Sequence, residues 1–273
     1  MRIGLSLLLS VLLLAPALRG AQGGTVDDAR AGYDLLLDTY VRDGLVYYRA
    51  LRSDRARLDR FVSALGTSSL EGVSRDERIA FWVNAYNALV LKTVIDHYPI
   101  ARRSREYPAR SIRQIPGAFE RTPRRVAGRT LTLDQIEQTV LAPFEDPRVF
   151  LALGRGAVGS GRLRSEAYTA ANLDRQLSEV AAECVHRSGC IDLEPGANLL
   201  KVSSIFSWRE REFTQAFADR AESRFSARSP IERAVLAFIG PKLLTTEREF
   251  IEPNQFQLRY IPFDWTLNEL SAH

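Results

Sequence analysis

The stretch "SRDERIAFWVNAYNALVLKTVIDHYP", residues 74–99, decides how the rest of the chain is read. Ser74 followed by Glu77 is a capping-box pattern that starts a helix. Tyr98-Pro99 stops it, because the residue before a proline is pushed out of helical geometry. The spacing predicts one helix over residues 75 to about 97. Its middle, "FWVNAYNALVL", is almost wholly apolar, so the helix belongs inside a core. Yet Asn84 and Asn87 lie three residues apart on one face of it. Asparagine is a mediocre helix former and costs free energy to bury without partners. Either the two amides satisfy buried backbone groups of a neighbouring loop, or they line a pocket and hold a ligand by two-way hydrogen bonding.

Outward from that helix the pattern alternates. Residues 27–42 and 54–65 have helical spacing, with Gly44 ending the first helix and residues 45–48 extended. Residues 101–130 carry nine arginines and few apolar positions, the signature of a long loop. Residues 126–131 read as a hairpin leading to Thr132, the cap of a helix "LDQIEQTVL". In "DPRVFLALGRG" the apolar run 149–153 reads as a buried strand. It leaves into "GRGAVGSG", residues 154–161, which lacks the Gly-Lys-Ser/Thr of a phosphate loop and so is a tight turn bringing backbone amides close to something. Thr169 caps a helix in "TAANLDRQLSEVAAECVHR". Strands at 191–193 and 199–202, helices near 204–220 and 230–240, and a last strand in "FQLRYIPF" follow. Helices first and then strands interleaved with helices predict an α+β fold, a helical N-terminal part packed on a central, mainly antiparallel sheet. One domain over residues 25–273 is expected, without internal repeats.

The chain opens with Arg2, an apolar run over residues 3–14, and small residues around Ala15-Pro16-Ala17, the layout of a secretory signal peptide over residues 1–21 with cleavage after 17–21. The run is too short to span a bilayer, and no cysteine follows it, so a lipoprotein is not expected. The product is expected in the periplasm or outside the cell, with no membrane span once the signal is removed. The apolar fraction of 45% and charged fraction of 26% are those of a globular protein. The formal charge of +4 loses two arginines with the leader, which argues against a nucleic-acid partner. Cys184 and Cys190 are candidates for a local disulfide in an exported protein. With His186 they match no zinc pattern, so neither metal nor cofactor is expected.

Five motifs then line up in order: "FWVNAYNALVLKTVIDHYP", "VAGRTLTLDQIE", "DPRVFLALGRGAVGSGRLRSEAYTAANLDRQL", "VSSIFSWREREF" and "YIPFDWTLNEL". Together, from about Gly44 to Leu270, they resemble the domain of unknown function 547 family, whose biochemical activity is not established. The resemblance implies histidine at two positions occupied here by Gln138 and Phe150. It implies a cysteine-proline pair at Ser160-Gly161 and a further cysteine at Arg155. Those are the residue types that titrate near neutrality or attack carbonyls, and this chain has none of them at those four positions. The order of elements also resembles papain-like and transglutaminase-like enzymes. On that analogy Asn84 falls near the nucleophile's place and Phe150 in the base's place, and neither side chain does that chemistry.

The remaining polar residues define a candidate pocket of Asn84, Asn87, Glu137, Arg148, Ser160, Arg164, Glu166 and Tyr168. Glu137 is expected to pair with Arg148 or Arg164, and Glu137 and Ser160 are the candidates for catalysis. Arg164, Glu166 and Tyr168 follow the turn, where loops present function, and arginine suits a carboxylate or phosphate. Trp82, Trp208, Asp264, Trp265 and Asn268 are read as structural, with Asp264, Trp265 and Asn268 locking the last strand onto the core and Trp208 packing nearby. The leading functional expectation is a binding or scaffold module with a degenerate, active-site-like pocket, a pseudoenzyme whose partner is a small anionic ligand, a peptide or an envelope polymer. The alternatives are a papain-like hydrolase or acyl-transfer enzyme with an atypical site, and an anion or polysaccharide binder acting through the arginine-rich segment 101–129.

Overall fold

A computed structural model describes residues 23–270 of the chain; the leader-like residues 1–21 lie outside the described residues. Helix α1 (Gly23–Tyr40) runs into a short hairpin, β1 (Val41–Arg42) and β2 (Leu45–Val46), and then into α2 (Tyr48–Ser53) and α3 (Ala56–Thr67). Gly44 does not end α1. Asp43 and Gly44 both have positive φ, 51° and 80°, and form the tip of the hairpin, as a tight turn between strands demands.

Helix α4 (Arg75–Asp96) follows the predicted span. Ser74 Oγ accepts the Glu77 amide at 3.1 Å, and Asp76 and Glu77 in the first turn suit the positive end of the helix dipole. From Trp82 to Leu91 every residue is buried, so α4 is the centre on which the other elements pack. Helices α2 and α3 lie against it. Tyr33 of α1 stacks on Phe61 of α3, 4.3 Å between centroids, and extends the core outward.

Residues 97–123 form an irregular excursion wrapped around one buried side chain. The Gln114 amide accepts from the Arg103 and Ser104 amides at 2.7 and 2.8 Å and donates to the carbonyls of Ser104, Tyr107 and Pro108. A single buried glutamine thus satisfies loop backbone that has no sheet or helix partner. Hairpin β3 (Arg124–Val126) and β4 (Arg129–Leu131) comes next, then α5 (Leu133–Gln135), capped by Thr132 in a reciprocal box with Gln135. At once α5 widens into a π-helical turn, Ile136–Leu141. Such turns are rare and mark places where a helix is bent to aim a side chain; here the side chain is Glu137.

The run 149–153, expected as a strand, is instead helical: α6 spans Arg148–Leu151. Pro147 presets helical φ, and the Asp146 carboxylate accepts the Arg148 amide at 3.1 Å, which together start a helix. Length and periodicity cannot separate a strand from a helix in so short an apolar run. Thr169 does not cap α7 (Leu173–Val185) directly. A 3-10 turn, Ala170–Asn172, intervenes, and the Thr169 hydroxyl accepts from the Asn172 side chain. Strands β5 (Ile191–Glu194) and β6 (Leu199–Ser203) pair antiparallel. After α8 (Ser204–Trp208), α9 (Glu210–Phe217), α10 (Pro230–Ile239) and α11 (Thr245–Ile251), strand β7 (Gln257–Ile261) returns parallel to β6. Phe206, Phe213 and Phe238 weld α8, α9 and α10 into a second apolar cluster.

The protein is therefore α+β with mainly antiparallel pairing. Among the described residues its strands are divided among three small sheets, of which β5-β6-β7 is the largest, and α4 rather than a sheet holds the middle.

Candidate functional site

The two asparagines of α4 grip two different loops. Asn84 donates to the Tyr168 carbonyl at 2.8 Å and accepts the Tyr168 amide at 2.9 Å. Asn87 does the same one turn on, donating to the Ala152 carbonyl at 3.1 Å and accepting the Gly154 amide at 2.8 Å. Both side chains are buried. Each amide thus serves as a substitute for a missing strand, pairing with one N–H and one C=O of chain that lies outside regular structure. The glycine-rich turn does bring a backbone amide close to something, and that something is Asn87.

Between the asparagines, Tyr86 points to a third group. Its hydroxyl donates to Glu137 Oε2 at 3.2 Å. Glu137 Oε1 accepts from Arg155 and from Arg209, each at 2.6 Å. Its partners are therefore neither Arg148 nor Arg164. Arg148 is held by Asp146, Asp174 and Ser178, and Arg164 by Glu166 and Glu179. Both of those clusters lie against α7, where Glu166 also accepts from Gln176. Arg155, Glu137 and Arg209 are 3%, 7% and 2% exposed, a fully buried ion triad. Burial alone would push the Glu137 carboxyl up, but the two guanidinium charges and their hydrogen bonds outweigh it and hold the group down at about 2.

The four positions at which the family resemblance implies histidine or cysteine converge on this triad. Gln138 Oε1 accepts from Arg209 at 2.9 Å. The Phe150 ring lies under the Arg209 guanidinium, 4.1 Å from its centroid, and the Phe150 carbonyl accepts from Arg155 at 3.2 Å. Arg155 is itself one of the four, and its amide donates to Ser160 Oγ at 3.0 Å. Ser160 is buried, and among the described residues no imidazole or carboxylate makes a hydrogen bond with its hydroxyl. Nor does any cluster of histidine, cysteine and carboxylate side chains fit a metal ion among them. At Gly161 a Cβ would stand 1.5 Å from the Leu151 carbonyl oxygen, so this turn has no room for the proline that the resemblance implies there.

Ser160 also borders an open groove of about 870 Å³ between the β1–β2 hairpin, the glycine turn and the end of α7. Arg162, His186 and Arg187 share its walls with the carboxylates of Asp43, Glu179 and Glu183 and with apolar Leu45, Ala157 and Val158. The Cys184–Cys190 disulfide closes the loop that carries His186 and Arg187. Arg187 donates to the Ser160 carbonyl and has no carboxylate ion pair among the described residues. Its acidity is raised by burial first and by the neighbouring Arg162 charge second. The C-terminal segment covers the other side of the turn. The Val158 amide donates to the Thr266 carbonyl and the Gly159 amide to the Asp264 carbonyl, while Asn268 bridges the Tyr48 hydroxyl and the Gly44 carbonyl. Trp82 is buried, Trp265 packs on Phe119, and Trp208 is 44% exposed, tilted against Phe263. The Tyr168 hydroxyl is buried without a hydrogen-bond partner, and burial pushes its acidity down.

Residues 70–185 match the family model described as "Protein of unknown function, DUF547". That stretch belongs to the DUF547 family. No curated protein and no solved structure matches the chain. The matched DUF547 stretch holds α4, the π-helical turn, α6, the glycine turn and α7, and hence Asn84, Asn87, Glu137, Arg155 and Ser160. Arg209, which completes the triad, lies beyond it in "VSSIFSWREREF". Sequence reasoning missed Arg155 and Arg209 as the partners of Glu137. The available signal was their position in two of the five motifs, Arg155 inside the glycine turn and Arg209 directly after Trp208, where a solvated arginine would have no reason to be.

Proposed function

We propose that this DUF547 protein works by binding rather than by bond breaking, a degenerate member whose ligand lies in the groove beside Ser160. The observation that carries this is the Arg155–Glu137–Arg209 triad. It occupies the place where the resemblance implies titratable and nucleophilic side chains, and it fills that place with groups that neither titrate near neutrality nor attack. A carboxylate held at about 2 is no proton donor at neutral pH. A serine without a base is no nucleophile. The groove offers apolar walls and, in Arg187, a guanidinium with spare donors; of its carboxylates Asp43 is paired with Arg162 and Glu179 with Arg164 and Arg175, which leaves Glu183, so the groove suits a small anion with an apolar body held at Arg187. The disulfide and the leader-like residues 1–21 support export to an oxidising compartment as the setting, and none of the described helices is long and apolar enough to cross a membrane.

The test has two arms on the full chain. Hydrolysis of p-nitrophenyl acetate and labelling by a fluorophosphonate probe are expected to be equal in the natural protein and in Ser160→Ala. Stoichiometric labelling at Ser160 would restore the hydrolase reading. The apolar anion anilinonaphthalene sulfonate is expected to bind saturably, at least fivefold more weakly in Arg187→Gln; equal binding would remove the groove from the proposal. A second reading rests on Arg102, Arg103 and Arg105, which have no carboxylate ion pair among the described residues. It places polyanion binding on the excursion, and it requires salt-sensitive retention on heparin that disappears in the triple glutamine variant.

A further inference from the structure

A second hollow shares no lining residue with the groove at Ser160 and touches no member of the triad. It has a volume of about 480 Å³ and is formed where α2, the Tyr98-Pro99 bend and the C-terminal segment meet. Two tyrosines, Tyr47 and Tyr98, line it, together with Arg49, Arg110 and Glu269. A smaller hollow of about 360 Å³ shares Arg49, Ser53 and Tyr98 and adds Arg52. The volume is that of a small-molecule site.

Its charges do not balance. Glu269 is the one carboxylate lining either hollow among the described residues, and it is already engaged, accepting from the Tyr98 hydroxyl and, at 3.4 Å, from Arg110. Arg49 and Arg52 form no ion pair with any described carboxylate. By contrast Arg55 and Arg57, further along the chain, are paired with Asp59, Asp96 and Asp54. Three guanidinium groups around one neutralised carboxylate leave a net positive hollow with two aromatic walls. Forked donors match a phosphate or sulfate, and a ring edge or face packs on tyrosine.

We propose that this hollow is a binding site for a planar aromatic ring bearing a phosphate or sulfate group, the ring between Tyr47 and Tyr98 and the anion at Arg49 and Arg52. The site is independent of the groove at Ser160. Both arginines are exposed, so replacing them removes charge without opening the core.

Titration calorimetry of the full chain with phenyl phosphate tests it, with inorganic phosphate and the neutral phenyl glucoside as companion probes. Saturable binding of phenyl phosphate is expected, weakened at least tenfold in Arg49→Gln/Arg52→Gln at an unchanged melting temperature and unchanged in Arg187→Gln. Tyr47→Ala is expected to bring phenyl phosphate down to the affinity of inorganic phosphate. No saturable binding, or equal affinity in the double glutamine variant, overturns the site. Binding lost in Arg187→Gln moves the anion to the groove and overturns it as well. Phenyl phosphate and inorganic phosphate binding alike in the natural protein removes the ring from the proposal.

Discussion

Replacing Glu137 by glutamine removes one negative charge from between two buried arginines and changes the volume of the side chain hardly at all. The loss can be sized in two ways. Breaking one partner out of a buried ion cluster costs about 3–5 kcal/mol, because the surviving charge is left uncompensated. Independently, a carboxyl drawn from its ordinary 4.5 to about 2 is stabilised in its charged form by roughly 3 kcal/mol, at about 1.4 kcal/mol for each tenfold change in acidity. Burial of the group leaves little solvent to screen that figure. The two agree, and about 3 kcal/mol in a chain of this size lowers the melting temperature by roughly 6–12 °C. The folded carboxyl is the more acidic one, so its contribution is complete above about pH 4.5 and fades as the pH falls towards 2. Urea unfolding from about pH 7 down to about pH 2.5 should therefore show a gap between the natural protein and Glu137→Gln that closes on acidification. Glu137→Leu/Arg155→Met/Arg209→Met, which removes all three charges, is expected to recover most of the loss at neutral pH. A gap below about 1 kcal/mol at neutral pH, or one of constant size at every pH, would refute this account of the triad.

Asn87→Ala leaves the Gly154 amide and the Ala152 carbonyl buried without partners, which at about 1–3 kcal/mol per group predicts a loss of about 2–6 kcal/mol in urea unfolding. Cys184→Ser/Cys190→Ser opens a loop of six-residue separation; chain entropy predicts a loss of about 2 kcal/mol, measured by thermal unfolding with and without reductant. Gly161→Ala should fail to accumulate as folded protein, since its Cβ meets the Leu151 carbonyl oxygen, whereas Gly189→Ala, with nothing within 4 Å, should cost little by circular dichroism.

Where the sequence is legible, local chemistry and tertiary demand agree. Helix α4 starts at Ser74 and stops by Tyr98-Pro99 as its caps dictate, and the hairpin over residues 126–131 turns at Ala127-Gly128, both with positive φ. Helix α6 escapes the sequence because a short apolar run is silent about period, and the deciding contact, Asp146 to the Arg148 amide, is one hydrogen bond. The site is legible in halves. Asparagine in an apolar helix announces a partner, but not that the partner is backbone. Glu137 announces a cation, but the choice among Arg148, Arg155, Arg164 and Arg209 is made by the π-helical turn and by the start of α9, which is 72 residues from Glu137 along the chain. No window of sequence contains that choice.

The side chains at the four positions where the resemblance implies histidine or cysteine are physically coupled. Arg209 rests on the Phe150 ring, reaches Gln138 and meets Glu137. Arg155 meets Glu137 and the Phe150 carbonyl, while its amide fixes the Ser160 hydroxyl. A histidine set at Phe150 alone would face a buried guanidinium, which disfavours its charged form and takes away the face on which Arg209 lies. A cysteine set at Ser160 alone would find the Arg155 amide but no imidazole. The same helix face that clamps the glycine turn through Asn87 also holds Glu137 through Tyr86, so the scaffold of a site persists whichever side chains occupy it. Arg155 and Arg209 are the two cations of Glu137, so a change that removes both leaves the carboxylate buried without a partner, and building a nucleophile and a base at these positions therefore requires replacing Glu137 as well.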